Sequence, residues 1–247
     1  MNDGIIKMSP QFASMPRALL GAASTVPTPL PYWPYDANNI TSGLVGWWKC
    51  DEINGTTAVD SSGNGMNGTL SGGARFSENP GIIGNSLGPN KTIVVPNNAL
   101  QNFAGNFTLS GWSKATFLGW GFVKNSNNTL GQYLFQMRPN APYNGLYFRS
   151  NTNFDVGLSV NMTALLTDGN WHHLCVTRTG TAIAIYIDAV RRGFGAPTLG
   201  NFSTNTLNLT MASGGSMDDM RMYNRALSPA EVASLYAYRG RNLYESP

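Results

Sequence analysis

The stretch 171-WHHLCVTRTGTAIAIYID-188 places apolar residues at every second position. Leu174 and Val176 in its first half, and Ile183, Ile185 and Ile187 in its second, fall on one side of an extended chain, because successive side chains of a strand point to opposite faces. Both halves read as strands with one face on a core. The same reading extends outward to 44–50, 91–96, 106–115, 132–137, 145–149, 155–160 and 217–223, short runs separated by turn-forming residues. So many strands without intervening helices point to a β-sandwich. One helix is signalled, in 227-LSPAEVASLYAY-238. Ser228 is its N-cap, Pro229 suits the first helical position, Glu231 completes a capping box, and Leu227 with Val232 can form a hydrophobic staple. Val232, Leu235 and Tyr236 share a face, which sets this helix against the sandwich.

A chain of 247 residues, 42% of them hydrophobic, can bury a full core as one large all-β domain plus an appendage, or as two small domains. Charged residues make up only 12%, while Gly, Asn, Ser and Thr abound, a mix that suits strands and turns. A net charge of +3 with no basic block argues against nucleic acid as a partner. No apolar run reaches the length of a membrane span, and 18-ALLGAA-23, which follows Arg17, is too short for a convincing signal peptide. Cys50 and Cys175 lie far apart and lack metal-ligand spacing. Both are expected as buried free thiols, with one long-range disulfide as the alternative.

The chain divides near residue 42. Upstream, Pro16, Pro27, Pro29, Pro31 and Pro34 break any helix, and 27-PTPLPYWPY-35 reads as extended polyproline II carrying aromatics. Residues 1–42 are read as an arm, 43–240 as the sandwich and 241–247 as a short tail. At about 3.1 Å per residue, residues 16–35 reach roughly 60 Å, enough to lie across a neighbouring subunit. Phe12, Leu19, Leu20, Tyr32, Trp33 and Tyr35 are too apolar to stay solvated over such a length and are the expected contacts to protein partners.

The loop 60-DSSGNGMNGTL-70 follows an aromatic run, 46-GWWKCDE-52. Gly and Asn reach positive φ at low cost, so this chain can reverse repeatedly and turn carbonyl oxygens inward. Asp60, Asn64 and nearby carbonyls can then supply part of a Ca²⁺ shell, which takes six to eight oxygens. The alternative is a surface turn between two strands.

The pieces 44-LVGWWKCDEINGTTAVDSSGNGMNGTL-70, 168-DGNWHHLCVTRTGTAIAIYIDAV-190 and 218-DDMRMYNRALSPAEVASLY-236 resemble, in order, three signature segments of laminin-G-like domains of the concanavalin A-like lectin/glucanase superfamily. The resemblance spans nearly all of the chain after the arm. It implies a jelly roll of two curved antiparallel sheets. It also implies a cation between the Asp60 loop and the aspartates that open the last core strand. Successive strand residues face opposite sides, so one of Asp218 and Asp219 can reach such a site: Asp219 is expected there with Asp60, with Asp218 as the alternate and Asn64 as a further ligand. Ca²⁺ at this place would be structural. A metal-free loop cross-braced by hydrogen bonds is the competing expectation.

The superfamily includes glucanases, but a retaining glycosidase needs two carboxyl groups about 5–5.5 Å apart, most easily supplied by acids spaced along one strand face. Among 13 acidic residues the tight clusters are Asp51-Glu52 and Asp218-Asp219, where neighbours diverge across a strand. No catalytic residues are expected, and the chain is read as a non-enzyme. The adjacent His172 and His173 cannot face one site and are read as core or sheet-edge packing. Lectin-like sandwiches hold sugars with exposed aromatic faces and amide-rich loops. The runs 117-FLGWGFVKNSNN-128 and 139-PNAPYNGLYF-148 offer Trp120, Asn125, Asn127, Tyr143 and Asn144 for that purpose.

Two functions remain open on this reading. The arm, the missing catalytic set and the low charge fit a structural subunit of a virion surface, of the decoration or cement type, anchored to other subunits through residues 1–42. The alternative is a secreted or cell-surface carbohydrate-binding or adhesion module.

Overall fold

In the computed structural model, residues 171–188 form an antiparallel pair in which Leu174 lies opposite Ile187 and Val176 opposite Ile185, all fully buried. The structure describes residues 40–71, 79–115, 119–124, 133–138, 145–150, 157–197, 202 and 206–238. The expected arm contacts Phe12, Leu19, Leu20, Tyr32, Trp33 and Tyr35 lie outside these residues.

The strands are β1 (Leu44–Trp48), β2 (Thr57–Ala58), β3 (Gly68–Ser71), β4 (Asn79–Pro80), β5 (Asn85–Ser86), β6 (Lys91–Val95), β7 (Phe107–Lys114) and β8 (Gly121–Lys124). They continue as β9 (Tyr133–Arg138), β10 (Gly145–Ser150), β11 (Gly157–Val160), β12 (Trp171–Thr179), β13 (Ala182–Ile187), β14 (Val190–Gly195), β15 (Leu209–Ser213) and β16 (Ser216–Tyr223). A short helix α1 (Thr163–Leu166) precedes β12, and α2 (Pro229–Ala237) follows β16. Six strands form one sheet in the order β1-β16-β7-β12-β13-β14, and eight form the other in the order β11-β10-β9-β8-β15-β6-β3-β2. All pairings are antiparallel. The chain is therefore an all-β sandwich with a short C-terminal helix, as the period-two pattern predicts.

Period two decides which side chains enter the core. On the eight-stranded sheet Leu70, Ile93, Met211, Phe122, Phe135 and Phe148 form one inward row across neighbouring strands. Each large apolar side chain so buried contributes about 1.5–3 kcal/mol relative to exposure. They meet Leu109, Leu174, Val176, Ile183, Ile185 and Met222 of the opposite sheet. A second cluster lies on the other side of the six-stranded sheet. There Cys175, Ala184, Tyr186 and Tyr223 are covered by Ile40, Leu227, Val232 and Leu235. Tyr236 of α2 stacks on Trp112 at 5.6 Å, and His173 lies 5.2 Å from the same ring. Burial, aided by the Arg221 charge, lowers the His173 pKa to about 3, which keeps it neutral.

The helix start is built as its sequence dictates. Ser228 accepts from the Glu231 backbone N–H, Glu231 accepts from the Ser228 N–H, and Pro229 occupies the first turn. The cysteines are both free and buried, Cys50 in the inter-sheet core and Cys175 under the helix. No described helix is long and apolar enough to cross a membrane.

Strand ends fall within two residues of the sequence expectation, and seven strands lie outside the predicted set: β2, β3, β4, β5, β8, β14 and β15. Several are only two to four residues long, too short to display a period. In β14, Arg191, Arg192 and Phe194 are all exposed, and its pairing with β13 shifts register beside Tyr186, which erases alternation.

His172 closes one end of the sandwich. Its Nδ1 lies 2.7 Å from Asp188 Oδ2 and its Nε2 3.1 Å from Asp168 Oδ1, linking the β13–β14 turn to the turn before β12. The Asp188 bond, with the neighbouring charges, raises the His172 pKa despite burial. A raised folded pKa contributes stability fully below the unfolded value of about 6.5 and loses it as pH rises through the folded value. The carboxylates act in the opposite direction: hydrogen bonds from Asn170, with a lesser part from His172, lower Asp168 to about 2, so its contribution is lost only as pH falls towards that value. Replacing His172 by Gln should therefore lower Tm most between pH about 4.5 and 6, and by steadily less towards pH 9. A Tm deficit independent of pH in thermal scans would contradict the clamp.

Candidate functional site

Alternation sends the other residues of the eight-stranded sheet away from the core. One outward row runs Thr69, Val94, Thr210, Val123 and, on β10, Arg149; the next runs Ser71, Thr92, Ala212, Gly121, Gln136 and Tyr147. Its described side chains are small, hydroxyl or amide over most of the width. Asp and Glu are absent from these positions. Exposure falls across the sheet: Thr69 and Ser71 on β3 are exposed, Thr210 and Val123 half-buried, Arg149 7% and Tyr147 1% exposed.

The centre of this face is arranged around a glycine. Gly121 pairs with Gln136, and the Gln136 Cγ lies 2.5 Å from where a Gly121 Cβ would be, so the amide chain rests directly over the bare backbone. Tyr147, opposite Gln136 on the next strand, donates its hydroxyl to Gln136 Oε1 at 2.9 Å. Oε1 is thereby held, and the two N–H groups of Nε2 remain as donors in a fixed orientation. This is how a sheet face can read a ligand: a donor whose rotamer is fixed by packing and by a neighbouring hydrogen bond.

The glycine-rich loop is built as a brace. Asp60 Oδ1 accepts from the backbone N–H groups of Trp47 and Ser62, and Oδ2 accepts from the Ser62 hydroxyl and the Met66 N–H, all at 2.9 Å. Asn64 donates its amide to the Val45 and Leu44 carbonyls. Asp219 Oδ1 accepts from the Trp47 indole Nε1 at 2.5 Å and from Arg221 at 3.0 Å. Both carboxylates hold Trp47, one by its backbone and one by its ring, and Asp219 is neutralised by arginine. Arg221 in turn lies 4.4 Å from the Trp47 ring and 5.0 Å from the Tyr238 ring. Such cation–π contacts contribute about 0.5–2 kcal/mol each.

Asp218 and Asp219 do diverge, as strand geometry requires, helped by a bulge in β16 and a left-handed Asp219 with φ 50°. Asp218 is fully buried, and its Oδ2 accepts from the Ile83 N–H at 3.0 Å. Its Oδ1 accepts no hydrogen bond. Burial raises its pKa to about 8, with the charges of Asp219 and Asp51 adding to the effect. Asp51, in the segment after β1, meets the same loop: its Oδ1 accepts from the Asn85 N–H at 2.8 Å, and burial raises its pKa too. A Cβ on Gly81 would strike Asp218 Oδ2 and the Asn85 carbonyl, and one on Gly84 would strike Asp51 Oδ1. The loop 81–85 thus lies closely over two carboxylates and one unused buried oxygen. Among the described residues no three His, Cys, Asp or Glu side chains converge, so any cation here would draw on backbone carbonyls as well.

The expected sugar-contact set is also revised. Trp120 is fully buried, edge-on to Phe122 and Phe135 at 5.8 and 5.5 Å, with Nε1 donating to the Trp112 carbonyl. It packs the inter-sheet core and offers no face to a ligand. Asn125, Asn127, Tyr143 and Asn144 lie outside the described residues. Lys124, next to them, turns inward. Its ammonium donates to the side-chain amide oxygens of Asn97, Gln101 and Asn102 at 2.8–3.0 Å, and burial lowers its pKa to about 8. Gln136, Tyr147, Gly121 and Asp51 were missed. Alternation in 132–137 already sets Gln136 apart from Phe135 and Met137, but its position opposite Tyr147 depends on a pairing between separate strands.

The family model for the concanavalin A-like lectin/glucanases superfamily matches residues 87–233. No curated protein sequence matches the chain. Among solved structures, the binding domain of Paraclostridial Mosquitocidal Protein 1 is similar at 19% identity and TM-score 0.62, covering 80% of this chain and 52% of that one. Domain 4 of AbnA, a GH43 extracellular arabinanase from Geobacillus stearothermophilus solved in complex with arabinotriose, is similar at 20% identity and TM-score 0.60, covering 78% of this chain and 98% of that one. The binding domain of Botulinum Neurotoxin DC in complex with SialylT is similar at 16% identity and TM-score 0.60, covering 81% and 52%. The alignments span about half the length of the two toxin chains. At these identities the likeness is one of fold.

Proposed function

This chain belongs to the concanavalin A-like lectin/glucanases superfamily, and we propose that it is a non-catalytic lectin-type module that binds an oligosaccharide on the outward face of its eight-stranded sheet. The observation that carries this reading is the fixed Gln136 amide over Gly121, oriented by Tyr147 on a face of small and hydroxyl side chains. Sugar hydroxyls need such preset donors, because a flexible donor loses entropy on binding. The absence of Asp and Glu from the described positions of this face supports a binding role over hydrolysis, which needs a carboxyl pair. Of the two functions that the sequence leaves open, the structure solved with arabinotriose supports the carbohydrate-binding one. Calorimetry against a panel of neutral and acidic oligosaccharides, arabinotriose included, should find a ligand whose affinity falls about tenfold or more in Gln136→Ala, the loss of one to two hydrogen bonds. Reducing ends should not accumulate. Unchanged affinity in the variant, or hydrolysis that a carboxylate substitution abolishes, would contradict the proposal.

We also propose that Ca²⁺, if bound, is structural and is held by Asp51, Asp218 and carbonyls of the 81–85 loop. Support comes from the buried, unused Asp218 Oδ1 beside glycines that leave no room for a side chain. The ion would supply charge neutralisation between two carboxylates and take no part in chemistry. Calcium should raise the Tm of the wild type over EDTA and leave Asp218→Asn unaffected. By contrast, Asp60→Ala should lose about 3 kcal/mol in urea denaturation in both buffers, since it strands backbone donors rather than an ion. A calcium response that survives Asp218→Asn and disappears with Asp60→Ala would return the site to the glycine-rich loop.

A further inference from the structure

We infer that Asn54 is a site of spontaneous deamidation in the folded protein, converting to aspartate and isoaspartate, while the other Asn-Gly pairs among the described residues are protected. Three such pairs lie within those residues: Asn54-Gly55, Asn64-Gly65 and Asn67-Gly68. In each, the glycine lacks the side chain that would screen its backbone nitrogen, which is the nucleophile. That nitrogen attacks the asparagine Cγ, the new C–N bond closes a succinimide ring, and Nδ2 leaves as ammonia, taking the proton of the glycine N–H. Water then opens the ring. Opening at the main-chain carbonyl leaves isoaspartate, whose backbone runs through Cγ, and opening at the side-chain carbonyl leaves aspartate.

Ring closure needs the side-chain amide to swing over the next peptide, and the fold decides where it can. Asn64 Nδ2, the leaving group, donates to the Val45 carbonyl at 3.1 Å, the Ser62 hydroxyl at 3.2 Å and the Leu44 carbonyl at 3.3 Å. Asn67 is held by the other end of its amide, where Oδ1 accepts from the Asp60 N–H at 2.9 Å. Gly68 after it is buried in β3 and paired with Ala58, and a Cβ there would strike the Ile93 side chain, so this backbone has no room to turn. Asn54 differs on each count. Residues 53–57 are all exposed, no hydrogen bond among the described residues holds the Asn54 amide or the Gly55 N–H, and a Cβ on Gly55 would have nothing within 4 Å. At φ 85° Gly55 already stands in the region that glycine enters freely. The loop is anchored at its ends: Glu52 Oε1 accepts from the Val59 N–H at 2.6 Å, and the Thr56 carbonyl from the Leu70 N–H at 2.7 Å. An extra backbone methylene at 54 is absorbed between these anchors, and the fold survives the change. Each event places a carboxylate three residues from Asp51 and lowers the formal net charge of +3 by one.

The test incubates the full chain in heavy-oxygen water at mildly alkaline pH, below its melting temperature, with and without urea. Peptides are then mapped by mass spectrometry with fragmentation that separates aspartate from isoaspartate, and the heavy oxygen marks each hydrolysis that took place during incubation. In the folded protein Asn54 should convert at least about tenfold faster than Asn64 and Asn67, at a rate close to its own rate in urea, whereas the other two should speed up once the fold is lost. A less basic form on ion exchange should accumulate in step with conversion at Asn54. Asn54→Gln, whose longer side chain closes the ring far more slowly, should suppress that form and leave Tm unchanged. Equal rates at the three sites in the folded protein, or an Asn54 rate that urea raises as much as those of Asn64 and Asn67, would overturn the inference.

Discussion

The inward row Ile93, Met211, Phe122, Phe135 and Phe148 fixes the eight-stranded sheet, and the rest of the site depends on it. A shift of any of these strands by one residue would turn its large apolar side chain to the outside and bring its outward partner into the core, a change that costs several kcal/mol per strand. Because the register cannot slip, Gln136 is held opposite both Gly121 and Tyr147. Preorganisation of the outward face is thus a by-product of packing on the inward one. Phe148 and Arg149 show the division at its sharpest, as neighbours on one strand assigned to opposite faces.

The two sheets use their outer faces differently. That of the six-stranded sheet is spent on Ile40 and α2, which cover Cys175, Ala184, Tyr186 and Tyr223. The ladder from Trp47 through Arg221 to Tyr238 then ties β1, β16 and the end of α2 together. Asp219 sits within that ladder, its Oδ1 accepting from both the Trp47 indole and Arg221. Asp218, one residue earlier, is aimed the other way towards the 81–85 loop. A single bulge separates a structural ion pair from Asp218, a buried carboxylate whose Oδ1 accepts no hydrogen bond.

Local chemistry was legible in the sequence wherever the interaction is itself local. The capping box of α2 needs only Ser228, Pro229 and Glu231, and it is present as read. The paired strands at 171–188 announce themselves because both bury one face and expose little else. What failed was inference from residue type without a partner. Trp120 beside glycines reads as an exposed loop aromatic, yet Gly121 is there to admit Gln136 and Trp120 to fill the core between Phe122 and Phe135. The brace that Asp60 and Asn64 form was not legible either. Their actual partners, the backbone of Trp47 and of Val45, are 13 and 19 residues away and meet them only after the strands pair. The Gln136–Tyr147 contact likewise spans 11 residues between strands, and no motif marks it.

The claim that binding occurs on the outward face of the eight-stranded sheet is tested most directly by amide chemical-shift mapping during titration with an oligosaccharide ligand. Perturbations should centre on Gly121, Gln136, Tyr147 and Arg149 and fade towards β3. Shifts confined to the outer face of the six-stranded sheet around Trp47, or to the 60–66 loop, with Gln136 and Tyr147 unmoved, would contradict the account.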